Sequence, residues 1–189
     1  MKLKNRIAFV SAAGRGIGKA IAKGLAAEGA TVVVNSYSEE TASSTADDIK
    51  KNGGKAVSMP GDATDPETIL ALVNKTIDEF GRIDVLVNNV GAAPKEAPEI
   101  PKNALGKTEG LWNAMYRQNL LPTVLMTEAV SKEMKRQQEG KIVNISSIAG
   151  INSFSPKTLT NLVHPSYGAM KAALLSYTKN CAELYGPFN

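Results

Sequence analysis

Five short, β-rich and largely apolar runs, each separated from the next by a longer stretch, constrain this chain more than any other feature. They are Ile7 to Val10, Thr31 to Val34, Ala56 to Met59, Val85 to Val87 and Ile142 to Ile145. A strand that is apolar on both faces needs cover on both, and parallel sheets obtain it from the helices that connect their strands. The intervening stretches predict those helices. Ile17, Ala20, Ile21, Gly24 and Leu25 recur at helical spacing between Gly16 and Glu28, with Gly29 as the stop. A second helix spans Glu39 to Lys51 before Gly53-Gly54, and a third opens at Asp65-Pro66 and ends at Gly81. One long helix is expected from about Thr108 to Gln138 and a last one from about Pro165 to Tyr185. The predicted class is α/β, a doubly wound parallel sheet with helices on both faces, whose ligands bind at the carboxyl ends of the strands. At 189 residues, with neither repeats nor an interdomain linker, residues 1–189 are expected to form a single dinucleotide-binding and catalytic domain.

The turn between the first strand and first helix is Ser11-Ala12-Ala13-Gly14-Arg15-Gly16-Ile17-Gly18. Glycines there let the backbone turn tightly and approach a pyrophosphate, whose charge meets the free amides of the helix start. That is the Rossmann-type arrangement, although Lys19 occupies the place of the last glycine in G-x-G-x-x-G, and no Gly-Lys-Ser/Thr of a P-loop is present. A tight turn without a ligand is the competing reading. After the second strand comes Asn35-Ser36-Tyr37, where an acid would accept from a free ribose 2′-hydroxyl and repel a 2′-phosphate. With no acid there, and with Arg15 within the loop as a phosphate partner, NADP is favoured over NAD.

Near the C-terminus stands Tyr167-Gly168-Ala169-Met170-Lys171. Residues four apart share a helical face, roughly 6 Å apart at their β-carbons. A free phenol titrates near pH ~10 and becomes a useful proton donor at neutrality only when a neighbouring cation stabilises its anion.

Taken together, these residues resemble the short-chain dehydrogenase/reductase family, and within it the 3-oxoacyl-acyl-carrier-protein reductase type, over essentially the whole chain. Ser11 to Gly18 is similar to the family's T-G-x-x-x-G-x-G loop, and Asn88-Asn89-Val90-Gly91 to its N-N-A-G. The resemblance implies cofactor contacts from Ser11, Ala13, Gly14, Arg15, Gly16, Ile17, Gly18, Asn35, Asn89 and Gly91. Asp62 and Ala63, in Gly61-Asp62-Ala63-Thr64, fall where the family contacts adenine. It implies a tetrad: Asn119 holding a relay water, Ser147 bonding the substrate oxygen, Tyr167 passing the proton, and Lys171 lowering the tyrosine's pKa. Tyr167 and Lys171 would also hold the nicotinamide ribose. Ser146 is the neighbouring rival to Ser147. The implied activity is hydride transfer between NADP and a small carbonyl or acyl-thioester substrate, in a dimer or tetramer.

The sequence departs from the family in several places. Ala12 replaces the first loop glycine and Val90 the small residue of N-N-A-G; both side chains are expected near the pyrophosphate path, where they would loosen the cofactor. The interval from Ser147 to Tyr167 is long, with an insertion at about Asn152 to Val163 expected to loop outward beside the substrate pocket. A Pro/Lys/Glu-rich segment from Gly91 to about Lys107 is expected as a lid over the strand ends. The chain stops at Asn189, where the family continues with further strands, so the fifth strand is expected as a bare apolar edge and a C-terminal portion as missing. A catalytically impaired dinucleotide-binding or interaction protein is the alternative function; dehydration or epimerisation of a nucleotide sugar is a third.

Composition narrows the field further. One cysteine, Cys181, excludes an internal disulfide, and one histidine, His164, argues against a histidine metal site. His164 reads as a surface or capping group before the last helix, and Trp112, Met115 and Met126 as core or interface residues. A net charge of +4 with scattered basic residues gives no footprint for nucleic acid. With no run of apolar residues long enough to span a bilayer and no signal-peptide core, a cytoplasmic protein is expected.

Overall fold

The computed structural model describes residues 1–92, 109–161 and 164–188. Five parallel strands, β1 (Ile7–Val10), β2 (Thr31–Ser36), β3 (Lys55–Pro60), β4 (Val85–Asn88) and β5 (Lys141–Asn144), pair in the order β3-β2-β1-β4-β5. Helices α1 (Gly16–Ala27), α2 (Glu39–Lys51) and α3 (Pro66–Phe80) follow the first three strands. Alternate strand residues face opposite layers, as the pleat requires. Phe9, Val33 and Leu86 pack with Ile69, Leu72 and Met126, while Ala8, Val10, Val32 and Val87 pack with Ala22, Ala46 and Ile49. The sheet is therefore covered on both faces, and the doubly wound architecture expected from the sequence is the one observed.

Local chemistry sets the helix ends. Ser38 caps α2, accepting from the Thr41 amide at 3.4 Å; Glu39 and Glu40 open that helix and Lys50 and Lys51 close it, matching its dipole. Asp65 caps α3 through the Thr68 amide at 2.7 Å, Pro66 follows, and Gly81 at φ 73° ends it.

The long helix expected from Thr108 to Gln138 is two helices, α4 (Glu109–Asn119) and α5 (Leu121–Gln137). Pro122 is the cause: it has no amide to donate and restricts the residue before it, so it begins a helix instead of continuing one. The break leaves Asn119 at a helix terminus with its side chain buried. Beyond β5 come a short 3₁₀ turn (Ile148–Gly150), α6 (Pro156–Asn161) and α7 (Pro165–Tyr185), so the expected outward loop contains a short helix. The lid segment lies outside the described residues apart from Gly91 and Ala92. β5 pairs with β4, and no second strand flanks it among the described residues; its Val143 is 47% exposed.

At the amino ends of the strands a buried carboxylate ties the starts of β1 and β4 together, and the two arginines it binds also reach Glu139 in the α5–β5 turn. Asp84 is 4% exposed and accepts from Arg82 Nε at 3.0 Å, Arg6 Nη1 at 2.8 Å and the Ile7 amide at 2.8 Å. Burial alone would push its pKa up, but the hydrogen bonds from Arg82, Ile7 and Arg6 outweigh it and hold the carboxyl below its ordinary value. A group depressed in the folded state stabilises above its unfolded pKa and loses that contribution as pH falls through the folded one. Asp84→Asn should therefore cost about 2 kcal/mol at neutral pH. Chemical denaturation across the acid range should show a shallower loss of stability in the variant below about pH 4; parallel curves would refute the assignment.

Candidate active site

The carboxyl ends of the strands collect most of the residues singled out from the sequence. In the first turn, Ser11 is buried, donates its hydroxyl to the Val87 carbonyl at 3.2 Å and accepts from the Asn89 amide at 2.9 Å. The Asn89 side chain donates to the carbonyls of Ser11 at 3.3 Å and Ala12 at 3.1 Å. Asn89 thus acts on the loop from the next strand along. A β-carbon on Gly18 would lie 2.5 Å from both the Ala12 oxygen and Asn89 Nδ2, and one on Gly14 would collide with Ser36 Oγ and Thr41. These two positions need glycine because protein, not solvent, fills the space. Ala13 is buried, and Gly16 takes the left-handed φ of 56° at the start of α1.

Three residues at this end have surroundings that the sequence alone does not show. Asn35, expected to contact the cofactor, is 1% exposed, with its amide directed to backbone: Nδ2 donates to the Met59 carbonyl at 3.0 Å and the Gly61 carbonyl at 3.1 Å, and Oδ1 accepts from the Ala12 amide at 3.4 Å. It holds the loop and faces no open space. Val90 is buried in the core with Phe9, Leu86 and Met126, so its extra bulk is absorbed by packing. Ala12 adopts the left-handed conformation, φ 51°, which costs backbone strain.

Arg15 and Ile17 are exposed at the start of α1, which has neither a side-chain cap nor an acid in its first turn, unlike α2 and α3. That leaves its positive end open to an anion. Asp62 accepts from the Thr64 amide at 2.8 Å and the Thr64 hydroxyl at 2.7 Å, a turn that shapes the end of β3 beside the buried Ala63.

The second cluster centres on Lys171. Its side chain is 3% exposed, its ammonium donates to the Ile145 carbonyl at 3.1 Å, and it stands 5.8 Å from the centre of the Tyr167 ring. Burial lowers the lysine's pKa. A β-carbon on Gly91 would lie 2.6 Å from Lys171 Nζ and 3.1 Å from Asn119 Oδ1, so the missing side chain is what lets these two groups approach. Asn119 is fully buried; its Nδ2 donates to the Ala92 carbonyl at 2.9 Å and the Met115 carbonyl at 3.2 Å. Its Oδ1 is an unpartnered buried polar atom among the described residues. An acceptor left in that state calls for a water or ligand donor.

The two adjacent serines have different partners. Ser146 Oγ donates to the Lys171 carbonyl at 2.8 Å, toward the helix backbone. Ser147 caps the 3₁₀ turn, accepting from the Ala149 amide at 3.2 Å, a bond that leaves its hydroxyl proton available. His164 caps α7 by accepting from the Ser166 amide at 3.2 Å and meets Trp112 edge-on. Met115 and Met126 are core, and Trp112 is 41% exposed.

Comparison with known proteins agrees with this geometry. Residues 6–189 match the family model described as short chain dehydrogenase. A 3-oxoacyl-[acyl-carrier-protein] reductase of Synechocystis sp. is 38% identical over 184 residues, covering 96% of this chain and 68% of that protein. The chain belongs to the short-chain dehydrogenase family. A cyclohexanol dehydrogenase of Rhodococcus sp. is 33% identical over the whole of this chain and 72% of its own length. Among solved structures, a 7α-hydroxysteroid dehydrogenase complexed with NADH and 7-oxo glycochenodeoxycholic acid superposes with a TM-score of 0.86 at 30% identity, covering 100% of this chain and 68% of that one. A metagenomic short-chain oxidoreductase in complex with NADP gives 0.85 at 30% identity, covering 100% of this chain and 80% of that one. This short-chain dehydrogenase is accordingly an NAD(P)-dependent oxidoreductase.

Sequence reasoning missed the backbone partners: the Ile145 carbonyl under Lys171 and the Ala92 carbonyl on Asn119. It also passed over Gly150 and Gly168. A β-carbon on Gly150 would lie 2.7 Å from the Lys171 carbonyl carbon, and one on Gly168 would lie 2.7 Å from the Ala149 oxygen. Gly168 carried a usable signal, since a glycine inside a helix costs roughly 1 kcal/mol against alanine unless a neighbour requires it. Gly91→Ala tests the contact at the heart of the cluster. Its methyl group should displace the Lys171 ammonium and lower kcat about 100-fold, as small misplacements of reacting groups do. Near-wild-type steady-state kinetics in that variant would mean that the gap is unimportant.

Proposed function

We propose that this short-chain dehydrogenase is an NADP-dependent carbonyl reductase or alcohol dehydrogenase, with Asn119, Ser147, Tyr167 and Lys171 as its working residues. The observation that carries the reading is the Lys171 ammonium, buried beside the Tyr167 ring and within reach of the gap left by Gly91. A desolvated cation attracts a neighbouring anion, so the Lys171 ammonium is placed to stabilise the charge left on Tyr167 when its proton passes to a substrate.

The residues at the strand ends fit a dinucleotide. The uncapped, acid-free start of α1 and the close-packed Gly14 and Gly18 would receive its phosphates, with Ser11, Ala13, Gly16 and Ile17 forming the same turn. Asp62 and Ala63 stand at the end of β3, on the adenine side of the reading. When bound, the nicotinamide supplies or accepts the hydride, and the protein contributes orientation and electrostatics. During reduction, Tyr167 passes its phenolic proton to the substrate oxygen, and Ser147 donates to that same oxygen. Lys171 holds positive charge beside the phenolate left behind. Asn119 Oδ1 accepts from a water that returns a proton through the lysine side, which is the partner its buried state demands.

NADP is preferred over NAD because Asn35-Ser36-Tyr37 places no acid after β2 and Arg15 is exposed at the start of α1. The substrate class, a small ketone or an acyl thioester of the 3-oxo type, follows the likeness to the Synechocystis reductase. One catalytic domain, a cytoplasmic location and a dimer or tetramer complete the proposal.

The deciding experiment follows NADPH absorbance with a panel of ketones and β-keto thioesters. Tyr167→Phe should lower kcat by about 10²–10⁴-fold, and Arg15→Ala should raise KM for NADPH about tenfold while leaving KM for NADH unchanged. Equal turnover in wild type and Tyr167→Phe would refute the proton donor. Cofactor binding without turnover on any substrate would point to a non-catalytic binding protein instead.

A further inference from the structure

Two consecutive residues at the end of β5 hold Lys171 at both of its ends. The Ile145 carbonyl accepts from the ammonium at 3.1 Å, and the Ser146 hydroxyl donates to the lysine's own backbone carbonyl at 2.8 Å. That carbonyl lies inside α7, well before the helix ends at Tyr185. A carbonyl oxygen has two lone pairs, so the helix can use one for its own amide while Ser146 takes the other. The approach is close enough to require glycine on both sides. A β-carbon on Gly150 would lie 2.7 Å from the Lys171 carbonyl carbon and 2.9 Å from its oxygen, and one on Gly168 would lie 2.7 Å from the Ala149 oxygen. The segment from Ile145 to Gly150 is thus set against the turn of α7 that carries Tyr167 and Lys171. Ser147 sits in the middle of it.

We propose that Ser146 is a positioning residue: its bond to the Lys171 carbonyl fixes the β5 end against α7 and thereby sets Ser147 and the Ile145 carbonyl in register with Tyr167 and Lys171. This rests on the reading of Ser147, Tyr167 and Lys171 as the working residues. Among the described residues, the hydroxyl makes the one directional bond of this contact from a side chain to the helix backbone; the glycines supply room. Without it the lysine carbonyl keeps its helical amide, so folding is preserved, while the segment can slide and the Ile145 carbonyl can leave the ammonium.

The test compares wild type, Ser146→Ala, Ser146→Thr and Tyr167→Phe, all as the full chain. Acetylation of Lys171 by acetic anhydride is followed by mass spectrometry, with exposed Lys23 as internal reference. Ser146→Ala should acetylate Lys171 at least fivefold faster, lower kcat about tenfold and change KM for NADPH less than twofold, with Tm within 2 °C of wild type. Ser146→Thr, which keeps a hydroxyl, should restore both acetylation rate and kcat. Wild-type protection of Lys171 in Ser146→Ala overturns the proposal, and so does faster acetylation with unchanged kcat. If Tyr167→Phe turns over like wild type, the reading of the site fails by itself. The acetylation comparison then still decides whether Ser146 holds the lysine.

Discussion

Keeping a lysine ammonium out of water at the carboxyl end of the sheet is the constraint to which the neighbouring elements conform. A buried cation is tolerated when it is hydrogen-bonded, and Lys171 has the Ile145 carbonyl. Reaching that carbonyl requires β5 to end beside α7, the 3₁₀ turn to lie flat on the helix backbone, and Gly91 to carry no side chain. The helix break at Pro122 serves the same end, because it leaves Asn119 at a terminus and turned inward against Ala92. Strand, turn, glycine and helix break therefore answer one electrostatic problem.

The fold was legible because its strands are apolar on both faces, a pattern that few architectures other than a helix-covered parallel sheet explain. Ile7 and Phe9 on one face and Ala8 and Val10 on the other show why the first run has no polar member. Helix ends were legible where cap chemistry marks them, as at Asp65-Pro66 and Gly81. The break between Asn119 and Leu121 was not read, because apolar spacing continues through it and only Pro122 marks it.

At the site, the residues proposed to act through their side chains stand out by pattern: Tyr167, Lys171, Ser147 and Asn119. Residues that act on backbone do not. Asn35 and Asn89 look alike in sequence, one at the end of each strand flanking β1, and both use their amides to hold the first turn. Spacing alone cannot separate an asparagine that meets a ligand from one that braces the loop. Ser146 and Ser147 pose the same problem, and their hydroxyls take different partners: the Lys171 carbonyl for Ser146 and the Ala149 amide for Ser147.

Ala12 shows how such bracing changes the meaning of a departure from the family pattern. Its left-handed conformation costs roughly 1–2 kcal/mol relative to a residue free to avoid it. The strain persists because both of its peptide groups are fixed: the Ala12 amide by Asn35 Oδ1 and the Ala12 carbonyl by Asn89 Nδ2, the carbonyl occupying space that a side chain at Gly18 would fill. A glycine here would relieve strain but would also free the unfolded chain. Alanine with two asparagine braces instead yields a turn whose shape is set before any phosphate arrives. A preformed turn loses less conformational freedom on binding than one that must first be ordered. The turn's conformation is carried by its neighbours' side chains, Asn35 on the amide and Asn89 on the carbonyl.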